Sequence, residues 1–546
     1  MLDVEKLKQT FKGEILSDEV TRQHFSRDAS IFEATPELVV QPTNTEDIKA
    51  LVNFTTTEKQ AGKDVSLTAR VGGTDMTGGS ISESIIIDFT KHLNQIGKIE
   101  GHTIQVEPGA YYRDLEKVTH AQNLEMPSYP ASKSICGVGG MVANNAGGEK
   151  SLAYGQTVDW VESLDVILSD GNLYTVKPLT EAELTKKINE PTFEGQTYKK
   201  IWHLISSNFE AIKKAEPTTS KNSAGYFLWK VWDGKHFDLT KLFVGSQGTL
   251  GIITNISFRL APVEPNSELL VIFLTDLKDL GNIVGRVKNH RPQSFELYDD
   301  HTLKLALRFL PDIAKKMGAG IFKLMWQFLP EALMSLRGGL PKLVLLAEFA
   351  GQDKTEVTKK AREAEEDIRK NFSAETHITK TEQETEKYWT VRRESFNLLR
   401  QHAHGKISSP FVEDIIVHTD QLPSFMPRLN AIFARYPSFE YTIAGHAGDA
   451  NFHIIPFVDL SKQHERDMVE RLSAEVYALI VEYHGSFTAE HNDGVVRGPY
   501  LEKMFGPDIM ELFRQTKKIF DPLNIFNPHK KVDATMDYYE KHIRRK

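Results

Sequence analysis

Apolar positions recur in this chain with two different periods, and the switches between them outline its elements. Pro36-Glu-Leu-Val-Val40 reads as a strand, and Asn44 or Thr45 can cap a helix whose Ile48, Leu51 and Val52 share one face until Gly62 closes it. Val65, Leu67, Ala69 and Val71 then alternate as a strand does, and 84–88 and 103–106 follow as further strands, the latter ended by Pro108-Gly109. A helix carrying Leu115 and Val118 leads to the Pro127–Pro130 bend. Beyond it, 163–168 and 173–176 flank Asp170-Gly171, a hairpin signal. This mixture predicts an α+β fold rather than a regular βαβ repeat.

Pro262, Pro265 and Asn266 mark a boundary, after which 269–273 and 343–349 are strand candidates separated by helical stretches. Residues 354–371 form a highly charged helical pattern, read as a solvated face. In 507–520, Ile509, Leu512, Phe513 and Phe520 are spaced for one buried helix face, stopped at Asp521-Pro522. The segment 317–336 is apolar almost all round, with Lys323, Gln327 and Glu331 as a narrow polar stripe and Trp326 and Phe328 on it. Two readings stay open for it: a helix buried in a domain seam, or an interfacial helix touching a membrane or a partner.

At 546 residues the chain is too long for one core, and its 40% hydrophobic and 26% charged content is that of a globular protein. A net charge of −8 argues against nucleic acid as a partner. The single Cys136 excludes an internal disulfide framework and an iron–sulfur cluster held by this chain's own thiolates. Met1–Thr10 lacks the apolar centre of a signal peptide, and no uncharged apolar run reaches about 18 residues. The expected location is cytoplasmic, with peripheral contact on the inner face of a membrane left open by 317–336.

Candidate chemistry sits in two places. Thr68-Ala-Arg-Val-Gly-Gly-Thr-Asp-Met-Thr-Gly-Gly79 follows a strand and carries two Gly pairs, and Ser134-Ile-Cys-Gly-Val-Gly-Gly-Met-Val-Ala-Asn-Asn-Ala-Gly-Gly148 repeats the chemistry. Glycines so placed let successive N–H groups converge on an anion, and two such loops suit the pyrophosphate of a dinucleotide. Neither is the G-x-G-x-x-G fingerprint or a Walker loop. A third turn, Gly245-Ser-Gln-Gly-Thr-Leu-Gly251, precedes a β-branched strand. The second place is Gly445-His-Ala-Gly-Asp-Ala-Asn-Phe-His453 with Ala489-Glu-His-Asn-Asp-Gly494. His446, His453 and Glu490 offer two imidazoles and a carboxylate with open positions, which suits Zn²⁺, or Mn²⁺ or Fe²⁺, in a catalytic site.

Arg70-x-Gly-Gly-Thr, the second loop with Tyr154-Gly155, and Gly245–Gly251 together resemble the FAD-binding domain of the vanillyl-alcohol-oxidase type. The C-terminal half is similar to the cap of the D-lactate, glycolate and D-2-hydroxyglutarate dehydrogenase branch, the resemblance running over roughly 20–531. It implies a flavin domain at 1–265, a substrate cap at 266–480 and a C-terminal segment, 481–546, completing the flavin site. Flavin contacts are implied for Arg70, Gly72, Gly73, Thr74, Asp75 and Gly78; for Pro130, Gly139, Gly140, Asn144, Ala146, Gly147, Tyr154 and Gly155; and for Gly248, Ile252 and Asn527. Thr74 stands where covalently linked relatives carry His, so dissociable FAD is expected.

The same resemblance makes His491 the base acting on the substrate hydroxyl and Arg392 the anchor of the substrate carboxylate. Guanidinium–carboxylate pairing suits that task. The implied reaction is oxidation of a D-2-hydroxy acid by hydride transfer to flavin N5, with a metal assisting loss of the hydroxyl proton. Electrons would leave to a quinone, a cytochrome or another flavoprotein. The chain departs from the branch at Ala450, Asn492 and His529, where Gly is usual, and at Val412-Glu-Asp414, where a dicarboxylate-specific relative has Lys. Asp414 as acidic company leans the substrate toward D-lactate. The alternatives are a flavin oxidase using O₂ and a flavin-binding subunit without chemistry of its own.

Overall fold

The computed structural model describes residues 2–308, 341–401 and 406–545. The segment 317–336 lies outside the described residues. Strands Leu38–Gln41, Ile85–Asp88 and Leu67–Arg70 pair in parallel, with Glu14–Leu16 antiparallel on the outer edge, so one four-stranded sheet carries both parallel ladders found among the described residues. The helix Thr45–Gln60 makes the crossover. Asn44 caps it by accepting from the Asp47 N–H, and Ile48, Leu51, Val52 and Phe54 go into the core beneath. The first glycine loop leaves the end of Leu67–Arg70.

A second, five-stranded antiparallel sheet runs Ile96–Glu100, Thr103–Val106, Ile252–Arg259, Val161–Ile167, Leu173–Val176. Its central strand starts directly after the third glycine turn, and a separate core packs around it. Beyond residue 265 an eight-stranded antiparallel sheet is built on Asn266–Leu274, Leu343–Gly351, Ser294–Asp299, Glu440–His446 and Asn451–Val458. The last two form a hairpin in which His446 pairs Asn451 and Ala444 pairs His453. The tail returns to the first part: Leu67 N–H donates to the Ile525 carbonyl (2.7 Å), and Asn527 N–H to that of Leu67 (2.8 Å).

The charged segment read as a solvated helix has a second face. Helix Lys354–Asn371 buries Val357, Ala361, Ala364 and Ile368 against the large sheet. Two of these are alanines, which give little apolar signal yet allow close helix–sheet approach.

Candidate active site

The three glycine segments and the tail meet at one place. In the first loop the backbone N–H groups of residues 72–76 form no hydrogen bond within the chain among the described residues, and all five residues are half-buried. Consecutive amides without a partner at one turn suit an anion, because successive N–H groups can converge on it. Asp75 braces the turn. Its carboxylate accepts from the N–H groups of Thr77 and Gly79 and from Asn144 Nδ2 (2.8 Å), which ties the first loop to the second. Gln247 Nε2 reaches Thr77 Oγ1 (3.0 Å) and Asn144 Oδ1 (3.3 Å), adding the third. From the tail, Asn527 Nδ2 donates to the carbonyls of Gly79 (2.8 Å) and Gln247 (2.7 Å), while its Oδ1 accepts from Thr68.

The second loop differs from its sequence reading. It folds as helix Val138–Asn144, and the N–H groups of Val138 and Gly139 are already taken by the carbonyls of Ala110 and Pro108. Its glycines serve close packing: a Cβ on Gly139 would lie 2.7 Å from Pro108 Cβ. The first half of the second segment is thus a packed helix, while the Gly147 N–H beyond it has no partner among the described residues. Arg70 also plays another part. Its guanidinium donates to the carbonyls of Phe25 (3.1 Å) and Arg27 (2.7 Å), which anchors the loop from behind.

Of the remaining expected flavin contacts, Thr74 lies within the cradle and Gly78 closes it at φ +79°. Gly248 faces Ala69 across the sheet end, and Ile252, fully buried, opens the central strand. The Ala146 carbonyl accepts from Ser128 and Thr157. A Cβ on Gly148 would lie 3.4 Å from Pro130 Cα, Tyr154 packs on Trp160, and Gly155 turns the chain at φ +72°.

The cap cluster abuts this region. A Cβ on Gly147 would sit 3.0 Å from Glu490 Oε2, and Asn492 Nδ2 donates to the carbonyls of Asn144 (3.1 Å) and Gly245 (2.9 Å). Within the cluster, Glu490 Oε1 lies 3.1 Å from His446 Nε2, 3.3 Å from His453 Nε2 and 3.7 Å from His491 Nε2. The hairpin explains the convergence, since His446 and His453 flank its turn on adjoining strands. Glu296 binds His446 Nδ1 at 2.6 Å, so Nε2 is turned to the centre, the outer-shell arrangement that metal-ligating histidines use. The donor atoms of His446, His453 and Glu490 lie within 4.8 Å of one another, and this set fits a small divalent cation.

Four residues at the centre gave no motif-level signal: Lys221, Glu296, Glu413 and Arg497. The Lys221 ammonium, from the flavin side, lies 2.9 Å from Glu490 Oε2, 3.3 Å from Asn451 Oδ1 and 3.5 Å from Asp449 Oδ2. It occupies one Glu490 oxygen and leaves Oε1 to the histidines. Glu296, Glu413, Asp414, Asp449 and Glu490 outnumber the permanent cations Lys221, Arg392 and Arg497 by two. The surplus falls on the imidazoles. Burial works against a charged His446, yet Glu296 and then Glu490 prevail and raise it to about 9. His491 is pushed up to about 10 by Glu413 and Asp414 against the same opposition.

Arg392 and Asp414 have partners that their sequence positions did not foretell. Arg392, expected to anchor the substrate carboxylate, pairs through Nε (3.1 Å) and Nη2 (2.9 Å) with Glu296, and so joins the chain Arg392–Glu296–His446–Glu490–Lys221 with Nη1 left without a partner among the described residues. Asp414 is not acidic company for a substrate. Fully buried, it accepts from the N–H groups of Glu490 and His491, from Thr488 Oγ1 and from Asn451 Nδ2.

Residues 36–177 match the family described as the FAD binding domain, and 264–531 match that of FAD linked oxidases, C-terminal domain. A D-2-hydroxyglutarate dehydrogenase of Pseudomonas putida (strain KT2440) is 26% identical over 95% of this chain and 50% of its own length, so the chain spans about half of that relative. The glycolate oxidase subunit GlcD of Bacillus subtilis is 27% identical over 91% of this chain and 89% of its own. The solved structure of 4-ethylphenol oxidase from Gulosibacter chungangensis aligns with a TM-score of 0.68 at 15% identity, covering 98% of this chain and 97% of that one. The fold is therefore the two-domain flavoprotein fold of the vanillyl-alcohol-oxidase type. The chain belongs to the FAD-linked oxidoreductases that join an FAD binding domain to this C-terminal domain.

Proposed function

We propose that this protein is an FAD-dependent dehydrogenase of D-2-hydroxy acids, with D-lactate as the favoured substrate. Residues 1–265 and 481–546 hold the flavin, and 266–480 form the substrate cap. The observation that carries the reading is the convergence of three imidazole Nε2 atoms on one Glu490 oxygen, directly against the second glycine segment.

FAD, when bound, supplies the hydride acceptor, and the amides of residues 72–76 would hold its pyrophosphate. The link is non-covalent: Cys136 is buried, and that burial pushes its thiol up to about 12, far from a reactive thiolate. His446, His453 and Glu490 would hold a divalent metal, Zn²⁺ in the first instance, whose charge favours ionisation of the substrate hydroxyl. Such a charge also offsets the carboxylate surplus, so His491 need not stay an imidazolium and can take the hydroxyl proton at Nε2. Arg392 orients the substrate by its carboxylate, with Glu296 holding the guanidinium plane. A monocarboxylate fits best, because Lys221 and both Nη atoms of Arg497 are taken by buried acceptors, whereas Arg392 gives Glu296 only Nε and Nη2 and keeps Nη1 for one substrate carboxylate.

Anaerobic addition of D-lactate should bleach the visible absorbance of the flavin, and prior removal of divalent metal should stop it. Unchanged absorbance across a panel of 2-hydroxy acids would overturn the proposal.

A further inference from the structure

We propose that Glu413 is the positioning residue of His491, fixing its imidazole so that Nδ1–H points inward and Nε2 faces the substrate side of the cluster. The inference rests on the reading of His491 as the base. It concerns a residue with no assigned part in that reading.

Consecutive residues clamp the Glu490-His491 pair. Asp414, held at φ +71°, accepts the backbone N–H groups of both and so fixes the main chain. Glu413 fixes the ring: its Oε2 lies 2.5 Å from His491 Nδ1. His453 Nδ1 is 3.7 Å from the same oxygen, outside hydrogen-bond distance, so Glu413 orients His491 and not its neighbour. The other carboxylate oxygen is held by Arg497 Nη2, and Arg497 also donates to the carbonyls of Asn492 (2.9 Å) and Glu413 (2.6 Å). Glu413 and Arg497 are both fully buried, so the carboxylate cannot swing to water. A histidine without such a partner samples ring flips and both tautomers. With it, one nitrogen is committed to donation and the other is left as the acceptor, the logic of a carboxylate behind a catalytic histidine.

The competing account is that Glu413 only neutralises Arg497. Proton NMR of the metal-free flavoprotein separates the two without turnover. A low-field Nδ1–H signal should be present in the wild type and absent in His491→Gln and in Glu413→Gln. Because Glu413→Gln alone strands a buried guanidinium, Glu413→Gln with Arg497→Met is measured as well and should also lack the signal. A wild type without the signal, or a signal surviving His491→Gln, overturns the proposal.

In the holoenzyme, stopped-flow flavin reduction by D-lactate should slow by about 10–100-fold in Glu413→Gln at unchanged flavin content. In a His491→Gln background the same change should add nothing, whereas a merely structural role would multiply the two losses. If the wild type is reduced by no 2-hydroxy acid, the proposed function fails while the NMR result stands. If the wild type is reduced and Glu413→Gln matches it, this inference alone fails.

Discussion

Lys221→Met gives the sharpest test of how the cluster is held. The ammonium is 1% exposed on its side chain and sits 2.9 Å from Glu490 and 3.5 Å from Asp449, with Asn451 Oδ1 as its third acceptor at 3.3 Å. Methionine keeps most of the volume, so the loss is one of charge rather than packing. Removing one partner of a buried ion pair costs about 3–5 kcal/mol, because the remaining carboxylate is left uncompensated. Native domains have only about 5–15 kcal/mol in total.

The sign of the pH dependence follows from both partners. Burial resists ionisation of Glu490, but Lys221 and then His446 hold its carboxyl well below 4.5, so its contribution is complete above 4.5 and lost as pH falls through the depressed value. Burial likewise disfavours charged Lys221, but Glu490 and Asp449 raise it above 10.5, so its contribution is complete below 10.5 and lost as pH rises through the raised value. Urea unfolding followed by tryptophan fluorescence should show the full difference between 4.5 and 10.5, narrowing outside that window. A difference under about 1 kcal/mol at neutral pH would refute the reasoning, since it would mean that the pair is hydrated rather than buried.

Asp75→Ala removes the acceptor that shapes the amide cradle. With each lost hydrogen bond worth about 0.5–1.5 kcal/mol, the dissociation constant for FAD should rise at least about 10-fold in a fluorescence titration, and an unchanged constant would detach the cradle from flavin binding. His491→Gln should keep its flavin yet be reduced about 10²–10⁴-fold more slowly, and an undiminished rate would remove His491 as the base. Glu296→Gln should weaken zinc binding about 10–100-fold by calorimetry, because His446 loses the group that aims its Nε2. Equal affinity would mean that His446 is oriented by the hairpin alone.

What the sequence made legible follows from how local each signal is. The cap on Thr45–Gln60 and the strand before the first glycine loop depend on residues within a few positions, and both were readable. Lys221, Glu296 and Glu413 were not, since each reaches the cluster from a different part of the chain and is one charged residue among many. The second glycine segment misled for a different reason. Its composition fits a nest, but the N–H groups of Val138 and Gly139 at its start are matched by Ala110 and Pro108, which lie in sequence before it and carry no pairing signal. Helix Lys354–Asn371 hid its buried face behind two alanines.

Ala450, Asn492 and His529, the departures from the glycines usual in the resembling branch, all lie at positive φ: +53°, +72° and +65°. The backbone explains why glycine suits these positions, and the side chains explain how it is dispensed with. At Ala450 the terms nearly cancel. Glycine would relieve about 1–2 kcal/mol of left-handed strain, but it would lose a buried methyl worth about 0.8 kcal/mol and about 0.5–1 kcal/mol of backbone entropy. Ala450→Gly should therefore stay within about 1 kcal/mol of wild type in urea unfolding. Asn492 is another matter, because its amide bridges the second and third glycine segments while its Oδ1 accepts from buried Lys531 at 2.8 Å. Asn492→Gly should cost about 2–4 kcal/mol, and equal stability of the two variants would mean that the bridging amide holds nothing that the backbone does not hold already.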